Sequence, residues 1–148
     1  MSNKTEADFV LHLYKTLQTI GVHLPRVAII TPYAQQASLI RRIFSEYLKE
    51  KFDAMVEVNT VDAFQGRESD IVLFSSVRAS GCKSIGFLSD VRRMNVALTR
   101  AKYFLFVVAR CKTISMNPYW NDLVQHAKES NAVVRIPTRK DGRFTFKS

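Results

Sequence analysis

Three short runs rich in Val, Ile, Leu and Phe, at residues 27–30 (VAII), 70–77 (DIVLFSSV) and 103–109 (YFLFVVA), limit most tightly what this chain can fold into. None alternates apolar with polar residues, so each reads as a strand buried on both faces, and such strands belong to parallel sheets. Between and around them the pattern changes to a helical period. Phe9, Val10, Leu13, Leu17 and Ile20 form one stripe over 5–20, with Thr5 and Asp8 approximating a capping box and Gly21 as the stop. From Ala34, the residues Leu39, Ile40, Ile43, Phe44, Tyr47, Leu48 and Phe52 form a second stripe. Residues 90–101 (DVRRMNVALTRA) and 118–129 (PYWNDLVQHAKE) predict two more helices, the first capped by Ser89 or Asp90 and the second opened by Pro118. Further strands are expected at 56–60 (VEVNT) and 132–136 (AVVRI), the last ending at Pro137. Strands alternating with helices over this length predict an α/β fold, a mostly parallel sheet with helices on both faces.

The 148 residues suit one domain, expected over 1–137, with a basic tail at 138–148. Lys and Arg number 22 against 13 Asp and Glu, a net charge of +9 that favours polyanionic partners. Two cysteines, Cys82 and Cys111, form no CxxC pair and suit a reducing compartment. The chain carries neither a leader-like start nor a membrane-length apolar run, so a soluble intracellular protein, nuclear or cytoplasmic, is expected.

Ligands of open α/β sheets gather at the carboxyl ends of strands. Three segments there are dense in polar groups. In Thr31-Pro32-Tyr33-Ala34-Gln35-Gln36 a strand turns into a helix whose free N–H groups could hold a phosphate, although a plain strand-to-helix turn has the same residues. Residues 59–70 (NTVDAFQGRESD) join two strands. Gly66 there permits a positive φ or a close backbone approach, and Glu68 is an acceptor suited to sugar hydroxyls. In 92–102 (RRMNVALTRAK), Arg93 and Arg100 are seven apart and share a helix face, as an anion site or as solvated surface arginines.

Other chemistry is poorly served. Gly81-Cys82-Lys83-Ser84 ends like a phosphate loop but has Cys82 where the second glycine belongs. His12, His23 and His126 are scattered, and neither a G-x-S-x-G elbow nor an H-E-x-x-H pair occurs. A stand-alone ATPase, hydrolase or metalloenzyme is not expected.

Taken in order, the three segments resemble the late motifs of superfamily 1B helicases, the group that includes the nonsense-mediated-decay helicase and senataxin. VAIITPYAQQ is similar to motif IV, NTVDAFQGRESDIVLFSSVRAS to motif V with its extension, and GFLSDVRRMNVALTRAK to motif VI. The likeness runs from about residue 3 to 137. It implies a RecA-like, P-loop NTPase-type fold, the second motor domain of an ATP-dependent helicase, excised or truncated from a first domain that would carry the P-loop and hold Mg²⁺. It further implies Arg100 as arginine finger and Arg93 as a second phosphate contact. Glu68 would meet the nucleotide ribose, and Gln65 and Gly66 would shape the loop joining the ATP cleft to the strand track. Lys4 stands where the family commonly has an arginine near the phosphates. Thr31, Pro32, Tyr33, Thr60 and Arg78 would meet the backbone of single-stranded RNA or DNA. The implied partners are that strand and the first RecA-like domain. The alternative is a non-catalytic nucleic-acid or protein-binding module that keeps the fold.

Overall fold

The computed structural model describes residues 4–20, 24–64, 66–76, 99–109 and 118–134, of which 118–120 as backbone only. Among these residues four strands form one sheet: β1 (Val27–Thr31), β2 (Val56–Thr60), β3 (Ser69–Ser75) and β4 (Ala101–Val108). Their spatial order is β2-β1-β3-β4, and all three pairings are parallel. The register sets Val27 against Val56 and Ile71, and Thr31 against Thr60. All five residues of β1 are buried, as the lack of alternation in VAII requires.

Helices α1 (Lys4–Thr19) and α2 (Ala34–Leu48) pack on each other and on this sheet. A 3₁₀ turn (Lys49–Lys51) and the single turn α3 (Phe52–Met55) lead from α2 into β2. Phe9, Val10 and Leu13 from α1 are buried with Ala37, Ile40, Phe44 and Leu48 from α2, and the rings of Tyr14 and Phe44 meet edge-on at 5.3 Å. Each such large apolar side chain contributes about 1.5–3 kcal/mol when fully buried. The predicted stripes are broader than the buried ones, since Ile20 and Tyr47 are exposed. The predicted capping box does not form. α1 starts at Lys4, which places Thr5 inside its first turn, and Asp8 instead holds the Lys4 ammonium at 2.9 Å. Gly21 lies outside the described residues.

β3 is buried from Ile71 onward, as expected, but β4 is not. Tyr103 and Phe104 are 74% and 59% exposed. Among the described strands β4 is an edge, as β2 is, with a neighbour on one side only. Residues 90–98 of the predicted third helix lie outside the described residues; Thr99 and Arg100 form a turn and Ala101 already belongs to β4.

The chain divides into two compact units, 1–109 and 110–148. In the second, α4 (Pro118–Glu129) forms where expected. The strand predicted from residue 132 is absent at 132–134. Asn131 takes a left-handed φ of 55°, and the Ala132 N–H turns back to the Ala127 carbonyl at 2.8 Å, so these residues close the helix in a Schellman-type cap. Among the described residues no helix is long and apolar enough to cross a membrane.

Candidate functional site

The sequence-predicted residues fall into two groups at opposite ends of the sheet, because the connection 61–68 leaves the carboxyl end of β2 and enters β3 at its amino end. This connection crosses β1 without a helix. It begins with a turn in which the Phe64 N–H reaches the Thr60 carbonyl at 3.1 Å, and continues with one joining the Arg67 N–H to the Phe64 carbonyl at 3.1 Å. Val61 and Phe64 anchor it, at 2% and 1% exposure. Gly66 sits at φ 80°, and a Cβ there would meet nothing within 4 Å, so the position needs glycine for its backbone conformation and not for space.

At the amino end, Arg67 lies over the Phe64 ring at 5.3 Å and pairs with Glu57. Glu57 also accepts from Arg26 Nη1 at 3.2 Å and from Asn59 Nδ2 at 2.8 Å, while Arg26 Nε donates to the Asp53 carbonyl. These groups border a cleft of about 260 Å³ together with Glu68, Asp70 and Lys102. Glu57 pairs with both arginines and leaves one positive charge over, and the exposed Glu68 carboxylate stands at the mouth as an acceptor. Arg100 joins this end because its carbonyl accepts the Ser69 N–H at 3.0 Å. That bond draws Arg100 into the start of the ladder, where it is a turn residue and not part of a helix face. Its Nη2 reaches Thr99 Oγ1 at 3.4 Å, and its buried Nε has no partner. Arg100 does not line that cleft; the charged groups that do, among them Arg26, Arg67, Lys102 and the open Glu68 carboxylate, fit an anionic, hydroxyl-bearing ligand such as a nucleotide.

The carboxyl end is built differently. Thr31 is fully buried and its Oγ1 has no partner, so the surface of this turn belongs to the half-buried Pro32 and Tyr33. Thr60 lies beside it in register, its hydroxyl accepting the Ala63 N–H at 3.3 Å. An open depression of about 600 Å³ continues along α2 past Gln35, Ser38 and Arg42. Lys4 is found here and not with Glu68 and Arg100. Two residues on, the carboxylate of Glu6 accepts the hydroxyl of Ser75 at the far end of β3, roughly 20 Å from Arg100 at ~3.3 Å per strand residue. Gln65, Arg78 and Arg93 lie outside the described residues. Sequence reasoning overlooked Arg26, Arg67 and Lys102 as cleft residues. Arg67 and Lys102 each adjoin a predicted segment's key residue or close it, a usable signal, whereas nothing in the sequence marks Arg26.

Among the described residues the sheet is all-parallel and covered by helices, an α/β arrangement of the RecA-like kind. Residues 1–112 match the family described as AAA domain, and the chain belongs to that family. Over most of its length it is homologous to superfamily 1B helicases. It is 40% identical over 137 residues to Probable helicase MAGATAMA 3 of Arabidopsis thaliana, which covers 90% of this chain and 17% of that protein. It is 41% identical over 138 residues to a Regulator of nonsense transcripts 1 homolog of Neurospora crassa (91% and 12%). To Helicase SEN1 of Saccharomyces cerevisiae it is 40% identical over 109 residues (73% and 5%). The chain thus spans less than a fifth of the length of these relatives.

Proposed function

We propose that this chain is the second motor domain of an ATP-dependent helicase, with a nucleotide-facing wall at the amino end of its sheet and a track for single-stranded RNA or DNA at the carboxyl end. The observation that carries the reading is the separation of Glu68 and Arg100 from Pro32, Tyr33 and Thr60 at opposite ends of β3 and β1, with 61–68 as the connection between them. A motor needs such a division, since the fuel site and the track must move together without competing for the same surface.

In this reading Glu68 accepts the ribose hydroxyls and Gly66 sets the bend that presents it. The outer nitrogens of the Arg100 guanidinium would face the phosphates and stabilise charge developing there. A nucleotide bound between this domain and a partner RecA-like domain would draw the two together, and hydrolysis of its phosphoanhydride would release them; its Mg²⁺ would be held by the partner domain, which bears the P-loop. Lys4, by its place, serves the track and not the phosphates. The track itself is gripped through backbone phosphates and stacking, which suits a motor that must pass every sequence.

The test pairs this chain with a P-loop-bearing RecA-like domain in one protein and compares Arg100→Ala with the parent. Turnover is expected to fall by ~10³ or more while strand binding stays within a few-fold. Arg100→Lys should recover little, because a point charge cannot reproduce the guanidinium fork. Near-normal turnover in Arg100→Ala would remove the finger assignment.

A further inference from the structure

The amino end of α2 is a helix start without its usual fastening. Helices are commonly fixed there by a capping side chain, yet the N-cap residue is Tyr33, which makes no side-chain cap bond. Nor does the Thr31 hydroxyl hold the turn, since it has no partner. What does fasten it lies one turn into the helix. Gln36, fully buried, donates from Nε2 to Ser75 Oγ at 3.3 Å, and Ser75, also fully buried, donates from Oγ to Glu6 Oε1 at 2.7 Å.

The two bonds run in one direction. An amide donates to a hydroxyl, the hydroxyl donates to a carboxylate, and the carboxylate, 9% exposed in the first turn of α1, accepts that bond. Aligned bonds of this kind polarise one another in a low-dielectric interior, and a buried polar chain that is complete specifies one geometry. Three elements meet in it: α1 through Glu6, β3 through Ser75 and α2 through Gln36. A structural reason alone does not call for this construction, because three apolar side chains of the same volume would join the same elements without desolvating a carboxylate.

We propose that Glu6, Ser75 and Gln36 are positioning residues that hold the Pro32–Tyr33 turn in the attitude at which it grips a single-stranded nucleic acid. The proposal rests on the carboxyl end of the sheet being the track. Gln36 is three residues beyond Tyr33, so a shift of its side chain moves the turn directly. Ser75 fixes that side chain against the strand whose end borders the same surface.

The probe is a fluorescently labelled oligothymidylate titrated into the 148-residue chain at several salt concentrations. Gln36→Met keeps the volume and removes the amide. It is expected to weaken binding about tenfold in the parent but less than about twofold in a Tyr33→Ala background, because a turn without its ring has little left to position. A merely structural role would lower affinity by the fraction of chain unfolded in both backgrounds alike. Equal losses in the two backgrounds therefore overturn the proposal while the track reading stands. If the parent chain itself shows no salt-dependent binding, the track reading falls and the proposal with it. Should Gln36→Met fail to fold, Ser75→Cys, with a weak donor of similar size, carries the same comparison and is expected to lose affinity in the parent and not in the Tyr33→Ala background.

Discussion

The two ends of the sheet hold their polar groups by opposite means. At the carboxyl end, Glu6, Ser75 and Gln36 are buried and joined by hydrogen bonds that reach across three elements. At the amino end, Glu57 is bound by Arg26 and Arg67, each about half exposed, and Glu68 stands on a connection bent at Gly66. Dry hydrogen bonds fix geometry, whereas solvated ion pairs keep it adjustable at small cost. The contrast suits a rigid grip at one end and a wall that adapts to its ligand at the other.

Three substitutions sharpen or break this contrast. The largest effect is expected at Gly66. Gly66→Ala forces a side chain into a left-handed backbone and should lower stability by about 1–2 kcal/mol in urea unfolding, although the added methyl has room. A neutral result would mean that the bend relaxes and that Glu68 is not fixed by it. Thr31→Val comes next. Removing a fully buried hydroxyl without a partner should raise stability by about 1 kcal/mol, and strand affinity should be unaffected. Loss of affinity in that variant would return Thr31 to the track as a direct contact and make the carboxyl end less closed than it is drawn. Smallest is Glu57→Gln, expected to cost less than ~1 kcal/mol and to cost nothing at 1 M salt, as screened pairs do. A large, salt-independent loss would show the amino end to be as rigid as its opposite.

Much of this was legible in the residues. VAII and VEVNT gave β1 and β2 to within a residue, because short apolar runs bounded by Pro25, Pro32 and a polar loop leave few alternatives. YFLFVVA read as a buried strand and is partly exposed, standing at an edge among the described strands, since composition reports what a strand could bury and not how many neighbours it has. Thr31 and Thr60 stand at the carboxyl ends, where ligands of open α/β sheets gather, whereas Glu68 and Arg100 precede their strands. Only the path of 61–68 reveals that. Ala132 read as the first residue of a strand and serves a helix end instead, a choice made by the left-handed backbone of Asn131, a residue type that tolerates it and could have signalled the stop. The Glu6–Ser75–Gln36 chain was invisible for a simple reason: its bonds link residues 69 and 39 apart, and each residue type alone reads as solvent-facing.

The connection between the two ends has a consequence for what lengths of chain this fold tolerates. From Thr60 to Ser69 it must pass from one end of the sheet to the other, roughly 20 Å along the strands, and also step over β1, about 10 Å sideways at two strand spacings. Its nine Cα steps reach only about 30 Å when fully drawn out, and two hydrogen-bonded turns take up much of that. Most surface loops absorb gained or lost residues freely. This one has no slack to give, so a deletion within 61–68 pulls β2 and β3 out of register, and the segment is free to vary in the side chains it shows to solvent but not in its count.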